Sequence, residues 1–169
     1  MITKALIGSA VVAVAVSIAS PVMADGNDHG QFPAPAFLAG TWQARITPYV
    51  CGSNPIVSFP DFAFDSMFTF AAGGTMTEAT ANSSFQPGQR GPGHGHWSRT
   101  DRRSYDAVFQ AFVLSTAGPY TRGTQRVELE IDLVDADHLT SELVVTFRDL
   151  QGGVVPPGGC ATVAAVRMQ

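Results

Sequence analysis

From residue 38 to the C-terminus the chain alternates apolar and polar side chains, and the period is two rather than 3.6. Trp42, Ala44 and Ile46 interleave with Gln43, Arg45 and Thr47, which predicts a half-buried strand over 38–49. The aromatic run 62–70 and the run 75–81 are separated by Gly73-Gly74, a hairpin signal. A polar stretch rich in Gly and Pro, 82–92, reads as a long loop before a strand at 93–100. A tight turn at Asp101-Arg102-Arg103 leads into 104–114, and Gly118-Pro119 punctuates the chain before 125–133. There Val127, Leu129, Ile131 and Leu133 share one face, and Arg126, Glu128, Glu130 and Asp132 share the other. A turn at Asp135-Ala136-Asp137 precedes a strand at 138–149, Gln151-Gly152-Gly153 makes another turn, and 160–168 closes the chain. Beyond the N-terminal segment no long window has helical periodicity with caps, so the fold class is all-β.

About eight strands joined by short turns suit nearest-neighbour antiparallel pairing. An open meander would leave two unpaired edges, and closure into an up-and-down barrel removes both. A barrel of eight strands encloses an interior that side chains fill or that holds one small ligand. The immunoglobulin-like sandwich lacks its Cys-Trp-Cys spacing, because Trp42 precedes Cys51 and the cysteines lie far apart.

The first 24 residues follow another pattern. Lys4 supplies a positive start, 5–19 is an apolar run, and Val22-Met23-Ala24 forms a small-residue cleavage site. This is the form of a secretory signal peptide. As an anchor the run is short, since a spanning helix needs about 20 apolar residues. The expected organisation is a signal peptide at 1–24, a flexible leader rich in Gly, Asp and Pro at 25–37, and one barrel domain at 38–169. Cleavage near Ala24 would deliver the protein to the periplasm or the exterior. In that compartment Cys51 and Cys160, the two cysteines of the chain, are expected to pair.

Charge narrows the partners. Lys4 is the sole lysine, so the processed chain carries 9 Arg against 14 Asp plus Glu, a formal balance of −5. Nucleic-acid binding rests on clustered positive charge and is disfavoured, as is an anionic membrane surface. Stable membrane insertion is not expected. Without lysine beyond residue 4, Schiff-base and PLP chemistry have no nucleophile. There is no G-x-S-x-G, no P-loop, no H-E-x-x-H and no G-x-G-x-x-G, which disfavours the enzymes built on them.

Gly40-Thr41-Trp42 at the start of the first strand, the meander behind it and Arg167 near the end of the last strand resemble the calycin group of lipocalin-like and avidin-like barrels. Gly93-His94-Gly95-His96-Trp97 is similar to a segment of small exported bacterial proteins of lipocalin-like type. The resemblance implies that Trp42 packs at one end of the barrel against Arg167, a structural cation–aromatic contact. The long flanking helix of lipocalins has no counterpart before Gln169.

His94 and His96, two residues apart on a strand, share one face. A metal would need a third ligand, and nothing in the spacing of His138 or Glu78 selects either, so no metal or other cofactor is assigned. An acid–base role and a plain structural or solvent-exposed pair are the other readings. Arg99, Arg102 and Arg103 flank a turn, as a carboxylate clamp or a solvated turn would. Two functions from different classes follow. One is a non-catalytic barrel holding a small apolar molecule, with Phe68, Phe70, Trp97, Tyr105 and Phe109 as its walls. The other is a cofactor-free isomerase or cyclase, in the manner of calycin-like barrels such as allene oxide cyclase, with His94 or His96 as acid or base and Tyr105 or Arg99 polarising an oxygen. A structural envelope protein with a filled barrel is a third.

Overall fold

A computed structural model describes residues 37–116 and 121–169. The expected signal peptide, all of the leader but Phe37, and the Gly118-Pro119 break lie outside them. Eight strands follow one another: β1 (Gly40–Tyr49), β2 (Phe64–Phe70), β3 (Thr75–Thr80), β4 (Arg90–Arg99), β5 (Ser104–Val113), β6 (Gly123–Leu133), β7 (His138–Asp149) and β8 (Val154–Arg167). A single 3₁₀ turn, Pro60–Phe62, interrupts the loop before β2. Each strand pairs antiparallel with the next, and β8 returns to pair with β1 from Trp42↔Arg167 to Tyr49↔Cys160. The barrel is closed, so no strand edge is left open.

Alternation fixes which side chains enter the barrel. On β6 Val127, Leu129, Ile131 and Leu133 are buried, while Glu128, Glu130 and Asp132 are exposed. A one-residue slip would exchange these sets, and that cost pins the register. The Gly73-Gly74 hairpin joins β2 to β3 as its sequence predicts.

β6 starts at Gly123 rather than at 125, and two further strands, both containing proline, also begin earlier than their sequence suggests. β4 starts at Arg90, within the stretch expected to be loop, and β8 starts at Val154 rather than near Cys160. In each case the ladder steps over the prolines. Arg90↔Val113 is followed by Gly93↔Ala111, so Gly91 and Pro92 together face Phe112. Val145↔Gly159 is followed by Phe147↔Val155, so 156–158 face Thr146. A bulge leaves its extra residues unpaired, and a proline there forfeits no ladder hydrogen bond.

The two ends differ. At the end holding the 71–74, 100–103 and 134–137 turns, Leu38, Trp42, Phe70, Met76 and Tyr105 form a dense buried cluster. Trp42 Nε1 donates to the Leu38 carbonyl at 2.9 Å. The Arg167 guanidinium lies 4.1 Å from the centroid of the Trp42 ring. Its three nitrogens donate to the carbonyls of Ala136, Ala39 and Phe37 at 2.7–2.8 Å. Towards the other end, the Cys51–Cys160 disulfide ties the chain leaving β1 to β8, across a sequence separation of 109 residues.

Candidate functional site

The end opposite Trp42 is not filled. A cavity of about 240 Å³ opens there, walled by Phe64, Phe68, Phe109, Val127, Leu143 and Val145. It exceeds the roughly 150 Å³ of an apolar cavity that accommodates benzene. Phe68 and Phe109 meet at 6.3 Å between ring centroids and separate the cavity from the packed end. The β8 bulge supplies part of the mouth through Pro156, Pro157 and Gly158. Exposed apolar side chains stand on the elements of this end, among them Phe59, Phe62, Phe112, Leu114, Leu150 and Val154.

Into this apolar chamber the fold places two opposite charges. Glu78 occupies the inward position on β3 two residues after Met76. Arg90 enters because of the β4 bulge: Gly93, Gly95 and Trp97 hold the inward parity of that strand, and the extra residue at Gly91-Pro92 turns the even-numbered Arg90 inward as well. Arg90 Nη2 and Glu78 Oε2 are 2.8 Å apart, with side chains 4% and 3% exposed. Arg90 Nε donates to Gln125 Oε1 at 2.5 Å and Nη1 donates to the Gly91 carbonyl at 3.1 Å. Ser66 Oγ donates to Glu78 Oε1 at 3.0 Å. Gly93 makes room for this group, since a Cβ there would stand 2.5 Å from the Phe109 ring and 2.9 Å from Glu78 Oε2.

A buried ion pair is a poor device for stability. Withdrawing each ion from water costs several kcal/mol, which the mutual attraction roughly offsets, and an apolar pair of equal volume often does as well. The pair places polarity in an otherwise apolar chamber without adding much to stability.

The residues singled out from the sequence are divided between the two ends and the two faces. Phe68 and Phe109 line the cavity. Phe70, Trp97 and Tyr105 do not; they pack at the other end, where Trp97 meets Phe70 and Tyr105 edge-on at 6.3 and 5.7 Å. Trp97 Nε1 donates to the Ala71 carbonyl at 3.0 Å. His94 and His96 share a face, as their spacing requires, but that face is the exposed exterior of β4. Arg99 caps its own turn, donating to the carbonyls of Asp101 and Arg102. The four candidate catalytic residues are thus divided: the histidines lie on the exterior, Tyr105 lies in the packed interior, and Arg99, opposite Tyr105 in the β4–β5 ladder, ends β4 with an exposed side chain that bonds its own turn. Among the described residues no three His, Cys, Asp or Glu side chains are grouped to hold a metal ion.

Titration is perturbed away from the cavity. The hydrogen bond from the Asp137 backbone holds the Asp135 carboxyl below its usual range, and His138, 2.9 Å away, adds to it. On the exterior, desolvation and then the bond to Glu142 push Tyr49 up.

These features define a class: a closed, eight-stranded, antiparallel up-and-down barrel, packed at one end and hollow at the other. The fold is similar to that in the solved structure of EF1p2_mFAP2b bound to DFHBI, at 15% identity and a TM-score of 0.51, over 80% of this chain and 96% of that one. No protein-family model matches the sequence, and no curated protein matches it.

Proposed function

We propose that this chain is an exported barrel that binds a small, largely apolar molecule in the hollow half of its interior. One observation carries the reading: the apolar cavity of about 240 Å³ at one end, with a buried ion pair to fix orientation. The apolar side chains about its mouth suit the entry of an apolar molecule. The outer surface of β6, with Glu128, Glu130 and Asp132, is charged where a membrane-spanning barrel would face lipid. No helix among the described residues is long and apolar enough to cross a membrane. A disulfide suits an oxidising compartment, which agrees with export through a signal peptide at 1–24 and a barrel domain at 38–169. The protein of similar fold is bound to a small molecule, DFHBI.

Native mass spectrometry of the protein secreted by its own host tests the proposal, with titration of the stripped protein by small aromatic probes alongside. A co-purifying small molecule, or saturable one-to-one binding that Val127→Phe abolishes, is the expected result. An empty protein that also fails to bind any probe would overturn it.

A further inference from the structure

The polar group inside the cavity is unfinished in one place. Glu78 Oε1 receives the Ser66 hydroxyl, but Oε2 accepts no hydrogen bond, and among the described residues it is the one buried side-chain oxygen or nitrogen without such a partner. Arg90 Nη2 is near enough to neutralise it, at 2.8 Å, yet is not aligned to donate to it. The ion pair offsets much of the cost of burying that oxygen, and a donor carried in by a ligand would add the hydrogen bond that Oε2 lacks.

The charges restrict what kind of donor. Arg90 is already matched by Glu78, so an incoming carboxylate would add a second anion beside Glu78 in a water-poor chamber without a free cation to meet it. An ammonium group would meet the guanidinium at the same place. A neutral hydroxyl or N–H group avoids both penalties. Accepting that the cavity is the ligand site, we propose that it selects neutral, compact apolar molecules bearing one hydroxyl or N–H donor, which is received by Glu78 Oε2, and that it discriminates against the corresponding carboxylates.

Three probes of similar size decide this at pH 7 by calorimetric titration of the wild-type protein: 2-naphthol, its methyl ether and 2-naphthoate. The naphthol should bind at least tenfold more tightly than either of the others. Glu78→Gln leaves Arg90 unmatched, and in that variant the ratio of naphthoate to naphthol affinity should rise at least tenfold. Should the variant fail to fold, the wild-type series still decides. Equal binding of naphthol and ether, or tightest binding of naphthoate, overturns the selectivity while leaving the cavity as a ligand site. Failure of all three to bind overturns the selectivity, and together with a protein that is empty when isolated from its host it overturns the ligand site as well.

Discussion

Each end of the barrel contains an inward or half-buried arginine, and the two are used in opposite ways. Arg167 stacks on Trp42 and donates to three main-chain carbonyls. Those partners belong to the backbone and move only if the fold moves, so Arg167 acts as a rivet between the chain preceding β1, the turn before β7 and the end of β8. Arg90 is met mainly by side chains, Glu78 and Gln125, at the edge of a cavity. Side-chain partners can change rotamer and exchange one hydrogen bond for another as a ligand enters. The same residue type therefore closes the structure at one end and presents polarity to an occupant at the other.

Breaking the packed end should have the largest effect. Trp42→Ala removes the fully buried indole together with its stack on Arg167, and should cost about 4–5 kcal/mol by denaturant melting. A smaller loss would mean that the packed end is not the stabilising half. The double substitution Cys51→Ser with Cys160→Ser frees a loop of 109 residues and should cost roughly 4 kcal/mol by loop entropy; equal melts with and without reductant would refute this. Gly93→Ala forces Phe109 off its position, and should cost about 1–3 kcal/mol while weakening probe binding, because the displaced ring moves into the cavity.

Smaller effects sharpen the contrast. Val127→Phe adds bulk where the interior is hollow, so the cost to stability should stay at the low end of the overpacking range of about 1–3 kcal/mol while probe binding falls at least tenfold. A severe loss of stability would show that the space is not available to a side chain. The smallest effect is acid-linked. The pKa of Asp135 is depressed in the folded state, so its contribution is present at neutral pH and disappears as pH falls below about 4 through the depressed value. The stability difference between wild type and Asp135→Asn should accordingly be seen at pH 7 and narrow in acid.

Much of the barrel is legible in the linear pattern because burial imposes it residue by residue. The alternation of β6 and the Gly73-Gly74 turn emerge at the expected positions, and the 138–149 strand has the bounds its sequence suggests. Proline misleads the pattern at 82–92 and at 156–157, since a local rule treats it as a stop whereas a bulge accommodates it. The site is less legible. Aromatic side chains announce an interior, but nothing local says which half of it they fill, so Phe68 and Phe109 line the cavity while Phe70, Trp97 and Tyr105 do not. Glu78 and Arg90 are 12 residues apart in sequence and are joined only by the β3–β4 pairing. The one available signal was a charged residue, Glu78, at an inward parity position two residues after Met76.

By itself the sequence determined the all-β class, a count of about eight strands, the alternation that separates the two faces of the regular strands and the expected pairing of Cys51 with Cys160, because period-two burial and a two-cysteine count leave few alternatives. Tertiary structure decided that the interior divides into a packed end and a hollow end, and that a bulge at Gly91-Pro92 turns Arg90 inward to meet Glu78. One extra residue reverses the parity of everything on its far side. That reversal exists only in the register between two strands, where no single stretch of sequence records it.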